Sequence, residues 1–200
     1  MRLFVAITPS AAALDALDAA IAPLRAAWPG LHWTSPQSWH ITLAFLGEVE
    51  EPATSKLAER LERAASRHPG LNLQAAGGGA FPSVPRGRVL WTGIRGDPAH
   101  QQELRKIATA VALGARKAGA PSADEGRRYR PHITLARCRE QVNLRPLVDA
   151  LAGHTGPAWP ADRVHLIRSH QSGHPGEQNW YESIGSWAFR ARGADPAPSR

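Results

Sequence analysis

Two histidines dominate the chemistry open to this sequence. The run His-Ile-Thr-Leu-Ala stands at 40–44 and again at 132–136. Imidazole titrates near neutral pH, so one ring of a pair can be neutral while the other is protonated. Across a cleft, the neutral ring takes a proton from an attacking water or hydroxyl, and the charged ring gives one to the leaving oxygen. The hydroxyls of Thr42 and Thr134 can hydrogen-bond the non-bridging oxygens of a phosphate held between them. This chemistry calls for no metal and no cofactor. A single copy would be better read as polar residues on a half-buried strand. Two identical copies in a 200-residue chain favour a site.

Strand geometry divides the motif into two faces, because side chains alternate along a strand. Strict alternation predicts His40, Thr42 and Ala44 on one face with Ile41, Leu43 and Phe45 behind. It likewise predicts His132, Thr134 and Ala136 in front of Ile133 and Leu135. The polar face should line a cleft, with the alanines leaving room for a ligand. Phe45 and Arg137 then fall on the wrong face, and reach the cleft only if the strand twists or ends there.

The elements that must position these strands are legible from periodicity and caps. Residues 2–7 read as a buried strand and not as a signal peptide. Ser10 caps a helix with Leu14, Leu17, Ile21 and Leu24 on one face, which Pro23 should kink or shorten. A strand centred on 40–45 closes at Gly47, and Pro52 opens a helix that stops at Pro69-Gly70. Residues 71–75 read as a strand interrupted by the glycines at 77–79, and residues 88–94 as another. Asp97-Pro98 starts a helix carrying Leu104, Ile107 and Val111. A polar loop over 120–130 leads into the strand 132–137. A short helix at 144–151 and strands at 163–168 and 181–189 finish the pattern. Short strands with irregular connections predict an α+β fold with mostly antiparallel pairing. The duplicated motif predicts two lobes about a local two-fold axis. A single bilobal domain is expected over 1–190, with a disordered tail over 191–200.

Composition sets outer bounds. The net charge is +7, and most of the positive charge is arginine, which favours polyanionic partners such as nucleic acid. A bias toward Ala, Gly, Pro and Arg accounts for that charge equally well. No apolar run approaches the ~20 residues of a membrane span. Cys138 is the only cysteine, which rules out an internal disulfide and fits a reducing cytoplasm. The spacing of His165, His170 and His174 matches no strong metal-ligand template. Trp91 and Trp187, both in strands, are expected in the core, and Trp39 should pack on the face opposite His40.

The two His-x-Thr-x motifs resemble those of the 2H phosphoesterase superfamily. Within it, the chain resembles the bacterial and archaeal RNA 2′,3′-cyclic phosphodiesterases, formerly called 2′-5′ RNA ligases. The resemblance runs through Arg2–Ile7, Trp39–Gly47, Gly79–Pro82, Val89–Ile94 and Tyr129–Arg137. It implies a bilobal α+β fold with outer helices and a cleft between the lobes. It also implies hydrolysis of a terminal RNA 2′,3′-cyclic phosphate to a 2′-phosphate, and reversible joining of RNA ends. By the same resemblance His40 is the general acid and His132 the general base. Thr42 and Thr134 hold the phosphate, Arg137 adds charge there, and Phe45 contacts the nucleoside. Arg130 is a further phosphate candidate, weighed against a solvated loop arginine. The region after Ile167–His170 departs from the family pattern.

The expected partners are RNA ends or cyclic nucleotides, the expected state a monomer away from membranes. The same site also suits small cyclic nucleotides or 2′-5′ oligonucleotides. A non-catalytic nucleotide-binding or RNA-binding module is the reading from another class, and the intact histidines and threonines argue against it.

Overall fold

The computed structural model describes residues 1–120, 128–170 and 180–191. The loop at 171–179 with His174, and nearly all of the expected tail, lie outside the described residues.

β1 (Arg2–Ile7) is buried at every position but the first. α1 (Ala11–Ala27) begins as expected, with Ser10 Oγ accepting from the Ala13 amide, and turns Ala13, Leu17 and Ile21 inward. Pro23 does not shorten it. The ring lies on the exposed flank, where the carbonyl it leaves unpartnered, that of Ala19, stands on the exposed side as well. β2 (His32–Trp33) and one 3₁₀ turn (Pro36–Ser38) lead into β3 (Ile41–Glu48), which passes through Gly47. Then come α2 (Glu51–Arg67), β4 (Leu71–Ser83), β5 (Arg86–Arg95) and α3 (Pro98–Lys117). Asp97 caps α3 by accepting from the His100 amide at 2.8 Å. β6 (His132–Val142), α4 (Arg145–Leu151), β7 (Thr155–Ala161), β8 (Arg163–His170) and β9 (Trp180–Ala188) complete the described chain.

The strands form two antiparallel sheets, ordered β3-β1-β8-β9 and β2-β6-β5-β4-β7. The two orders correspond: each motif strand, β3 or β6, pairs with the strand that lies one α-helix before it in the chain, β1 or β5. The expected two-lobed α+β arrangement is therefore present. Helices cover the outer faces, and two of them cross over. α1 follows a strand of the first sheet yet packs on β7 and β4 of the second. α3 follows a strand of the second sheet yet packs on β3 of the first, beside α2. One continuous apolar core runs through both lobes.

The glycines at 77–79 do not interrupt their strand. β4 runs through them with a bulge between Ala76 and Gly78, where Gly77 adopts φ +66°. The Thr92 hydroxyl, fully buried, donates to the Gly77 carbonyl at 2.8 Å and satisfies the bulge.

Candidate active site

The motif strands β3 and β6 meet where the two lobes face each other. Each presents its histidine in the same way. His40 Nδ1 lies 2.7 Å from the Ser38 carbonyl, and His132 Nδ1 lies 2.7 Å from the Arg130 carbonyl. A carbonyl can only accept, so Nδ1 carries the hydrogen in both rings and Nε2 is the nitrogen turned away from the backbone. Aromatic rings pack against each imidazole. Phe4 lies 4.6 Å and Tyr181 5.2 Å from His40, centroid to centroid. Phe81 lies 5.0 Å and Trp91 5.9 Å from His132.

Alternation fails at the same point in both copies. Ala6 pairs with Thr42 but Val5 pairs with Ala44, so Leu43 is an extra residue in β3. Trp91 pairs with Thr134 but Leu90 pairs with Ala136, so Leu135 is an extra residue in β6. Each β-bulge reverses the phase of the strand beyond it. Leu43 with Ala44, and Leu135 with Ala136, are consecutive buried pairs in the core. The alanines expected to line the cleft therefore do not. Phe45 and Arg137 emerge instead, in equivalent places and exposed. Phe45 stands 6.1 Å from Phe4, the ring that supports His40. Thr42 and Thr134, ahead of the bulges, are half-buried.

The charges are not symmetric. Burial pushes the pKa of His40 from 6.5 down to about 4, with smaller contributions from His132 and Arg137 and an opposing one from the Ser38 carbonyl. The guanidinium of Arg137 thus acts on His40 from the other lobe. The unfolded chain binds a proton at His40 near pH 6.5, the folded chain only near 4. This group therefore contributes stability that is complete above pH 6.5 and lost as pH falls through 4, on the order of 3 kcal/mol. Urea unfolding at pH 7 and pH 4 is expected to show that loss in the wild type and a smaller one in His40→Asn.

The family model described as "LigT like Phosphoesterase" matches residues 7–91 and 96–176. This chain belongs to the LigT-like phosphoesterases. The RNA 2′,3′-cyclic phosphodiesterase of Aeropyrum pernix is 38% identical over 136 residues, covering 68% of this chain and 73% of that one. The protein of the same name from Aquifex aeolicus is 32% identical over 136 residues, covering 68% and 69%. The crystal structure of Escherichia coli LigT with 3′-AMP superposes with a TM-score of 0.70 at 25% identity, covering 94% of this chain and 97% of that one.

In this LigT-like phosphoesterase several residues that shape the cleft escaped the motif. Trp91 is not core: it sits beside Thr134, packs against Phe81 at 5.2 Å and touches His132. Gly79 makes that possible, since a Cβ there would stand 2.1 Å from the indole. The Gly-x-Phe spacing at 79–81 in an alternating strand was the available signal. Trp39 is buried, as expected. Arg130 carries two roles: its carbonyl holds His132, and its guanidinium lies 5.7 Å from the Phe81 ring centre. Among the described residues no three His, Cys, Asp or Glu side chains cluster as metal ligands, and no helix is long and apolar enough to cross a membrane.

Thr34 joins the second bulge to Trp39, the residue before His40. Its hydroxyl proton is shared between the carbonyls of Thr134, at 2.7 Å, and Leu135, the extra residue of the second bulge, at 3.0 Å. Its amide donates to the Leu135 carbonyl at 2.9 Å. Its oxygen accepts from Trp39 Nε1 at 2.9 Å, next to His40. Thr34→Val keeps the shape but strands the buried indole N–H and frees the bulge. We expect a loss of about 1–3 kcal/mol in urea unfolding, with a reduction in kcat/KM that the stability loss alone does not explain.

Proposed function

We propose that the chain hydrolyses RNA 2′,3′-cyclic phosphate ends to 2′-phosphates without a metal, using His40 and His132 as an acid–base pair. The observation that carries this reading is the matched presentation of the two imidazoles, each fixed through Nδ1 to a backbone carbonyl, from facing lobes. The names of the curated relatives support the substrate.

In this reading Thr42, Thr134 and Arg137 hold the phosphate. Water attacks phosphorus as His132 Nε2 takes its proton. The bond from phosphorus to the ribose 3′-oxygen breaks as His40 Nε2–H protonates that oxygen. A 3′-hydroxyl and a 2′-phosphate result. A 5′-hydroxyl in place of water gives a 2′-5′ linkage, and the reverse step cleaves it. His40 is neutral in the empty cleft at neutral pH, so as the acid it must gain its proton with the substrate. The bound phosphate anion favours this by stabilising the imidazolium of His40 and by offsetting the charge of Arg137. In this reading Phe45, exposed on the same side as Phe4, meets the terminal nucleoside.

We read residues 1–190 as one bilobal working unit, supported by the crossed helices. The single cysteine supports a cytoplasmic setting. A second reading, phosphodiester hydrolysis on small nucleotides, draws support from the LigT structures with 3′-AMP and with ATP. Comparing kcat/KM in EDTA on a short RNA with a 2′,3′-cyclic phosphate end and on a mononucleoside cyclic phosphate separates the two. Preference for the RNA supports the first, and turnover of the mononucleoside alone contradicts it.

A further inference from the structure

The cleft face of the first sheet extends beyond the groups used above. Phe4, Ala6 and Ile167 form a small apolar cluster of their own, separate from the main core, with Tyr181 packed on it. His40 rests on Phe4 and Tyr181, so this is the cleft face. Two cross-strand rows can be followed along it. One runs Thr42–Ala6–His165–Ser186, the other Phe45–Phe4–Ile167–Ser183. Residues directly opposite in a sheet share a face, so His165 lies on the cleft floor two strand spacings, about 10 Å, from Thr42.

His165 is not alone there. Its Nδ1 lies 3.2 Å from Ser183 Oγ. Arg163, two residues back on the same face of β8, reaches Ser186 Oγ with Nη1 at 3.4 Å. Its Nε is 3.5 Å from Asp162, and both side chains are at least half exposed, so this contact is weak. The floor therefore offers one cation, two hydroxyls and an imidazole to an anion, in line with the phosphate-holding threonine and outside the reacting pair. Charge and hydrogen-bond donors in a row beside a terminal-phosphate site suit the next phosphate of a chain.

We propose that Arg163, His165, Ser183 and Ser186 form a second nucleotide subsite that binds the phosphodiester preceding the terminal cyclic phosphate. Arg163 pairs with the phosphate oxygens, and His165 and the serines hydrogen-bond the phosphate or its ribose. The subsite makes the enzyme prefer oligonucleotide ends over mononucleosides. It rests on the proposed function.

The test compares a dinucleotide ending in a 2′,3′-cyclic phosphate with the corresponding mononucleoside cyclic phosphate, in wild type, Arg163→Gln and His165→Ala. The ratio of the two kcat/KM values, dinucleotide over mononucleoside, is expected to fall about tenfold in Arg163→Gln, through KM of the dinucleotide. The salt dependence of log kcat/KM for the dinucleotide should become shallower by about 0.7, the share of one single-strand phosphate contact. His165→Ala should lower the ratio without changing the salt slope. An unchanged ratio in both variants, or equal losses on both substrates, overturns the subsite. A wild type that turns over neither substrate contradicts the reading of the catalytic cleft itself, and the subsite falls with it.

Discussion

Replacing His132 with alanine is expected to lower kcat about 10²–10⁴-fold, and replacing His40 to do the same. In the proposed mechanism the two rings serve one proton transfer in and one out, so the double variant should lose little more than either single one. The pH dependence of the residual activity identifies the roles. In His132→Ala the remaining ring of the pair is His40, whose pKa in the empty cleft lies near 4. Removing His132 takes away one of the influences that lower it, so the variant's value lies higher; as the acid His40 must be protonated, and residual kcat/KM should fall as pH rises through that value. A rise with pH would make His40 the base and invert the assignment. His40→Ala removes a ring from Phe4 and Tyr181 at the cleft wall, so His40→Asn serves as the check that lost rate is not lost fold.

Replacing Arg137 with alanine is expected to cost about 10²–10³ in kcat/KM, because in the proposed mechanism it removes the cation facing charge that develops on phosphorus-bound oxygen. Stability should stay within about 0.5 kcal/mol, since the side chain is exposed. Arg137→Lys should recover only part of the rate, as a point charge lacks the planar fork. His40 reports the same change independently. Arg137 helps to lower its pKa, so an NMR titration of Arg137→Ala should show the His40 transition moved upward. An unmoved transition would mean that the guanidinium does not reach the cleft, and the role given to the second bulge would fail.

That bulge marks the limit of what the sequence discloses. The duplicated motif, the caps Ser10 and Asp97 and the helix periodicities were all readable, because each is a local pattern with a local cause. The extra residues Leu43 and Leu135 were not. Neither is a glycine, and an apolar Leu-Ala pair is as compatible with regular alternation as with a bulge. Only pairing with β1 and β5 shows that both residues of each pair point inward, and so which face Phe45 and Arg137 take. β7 was missed for a different reason. Gly156, Pro157 and Pro160 argue against a strand, but β7 is the outer edge of its sheet, where proline costs no ladder hydrogen bond on the open side. Thr34 was invisible for a third reason: its partners lie 100 and 101 residues away.

The most direct measurement is the position of the phosphate in the product. A short RNA ending in a 2′,3′-cyclic phosphate is incubated in EDTA with wild type, His40→Ala and His132→Ala, and the product ends are identified. The account predicts a 2′-phosphate from the wild type and almost none from either variant at equal protein. A 3′-phosphate, or equal conversion by a histidine variant, would contradict the two-histidine mechanism drawn from this cleft.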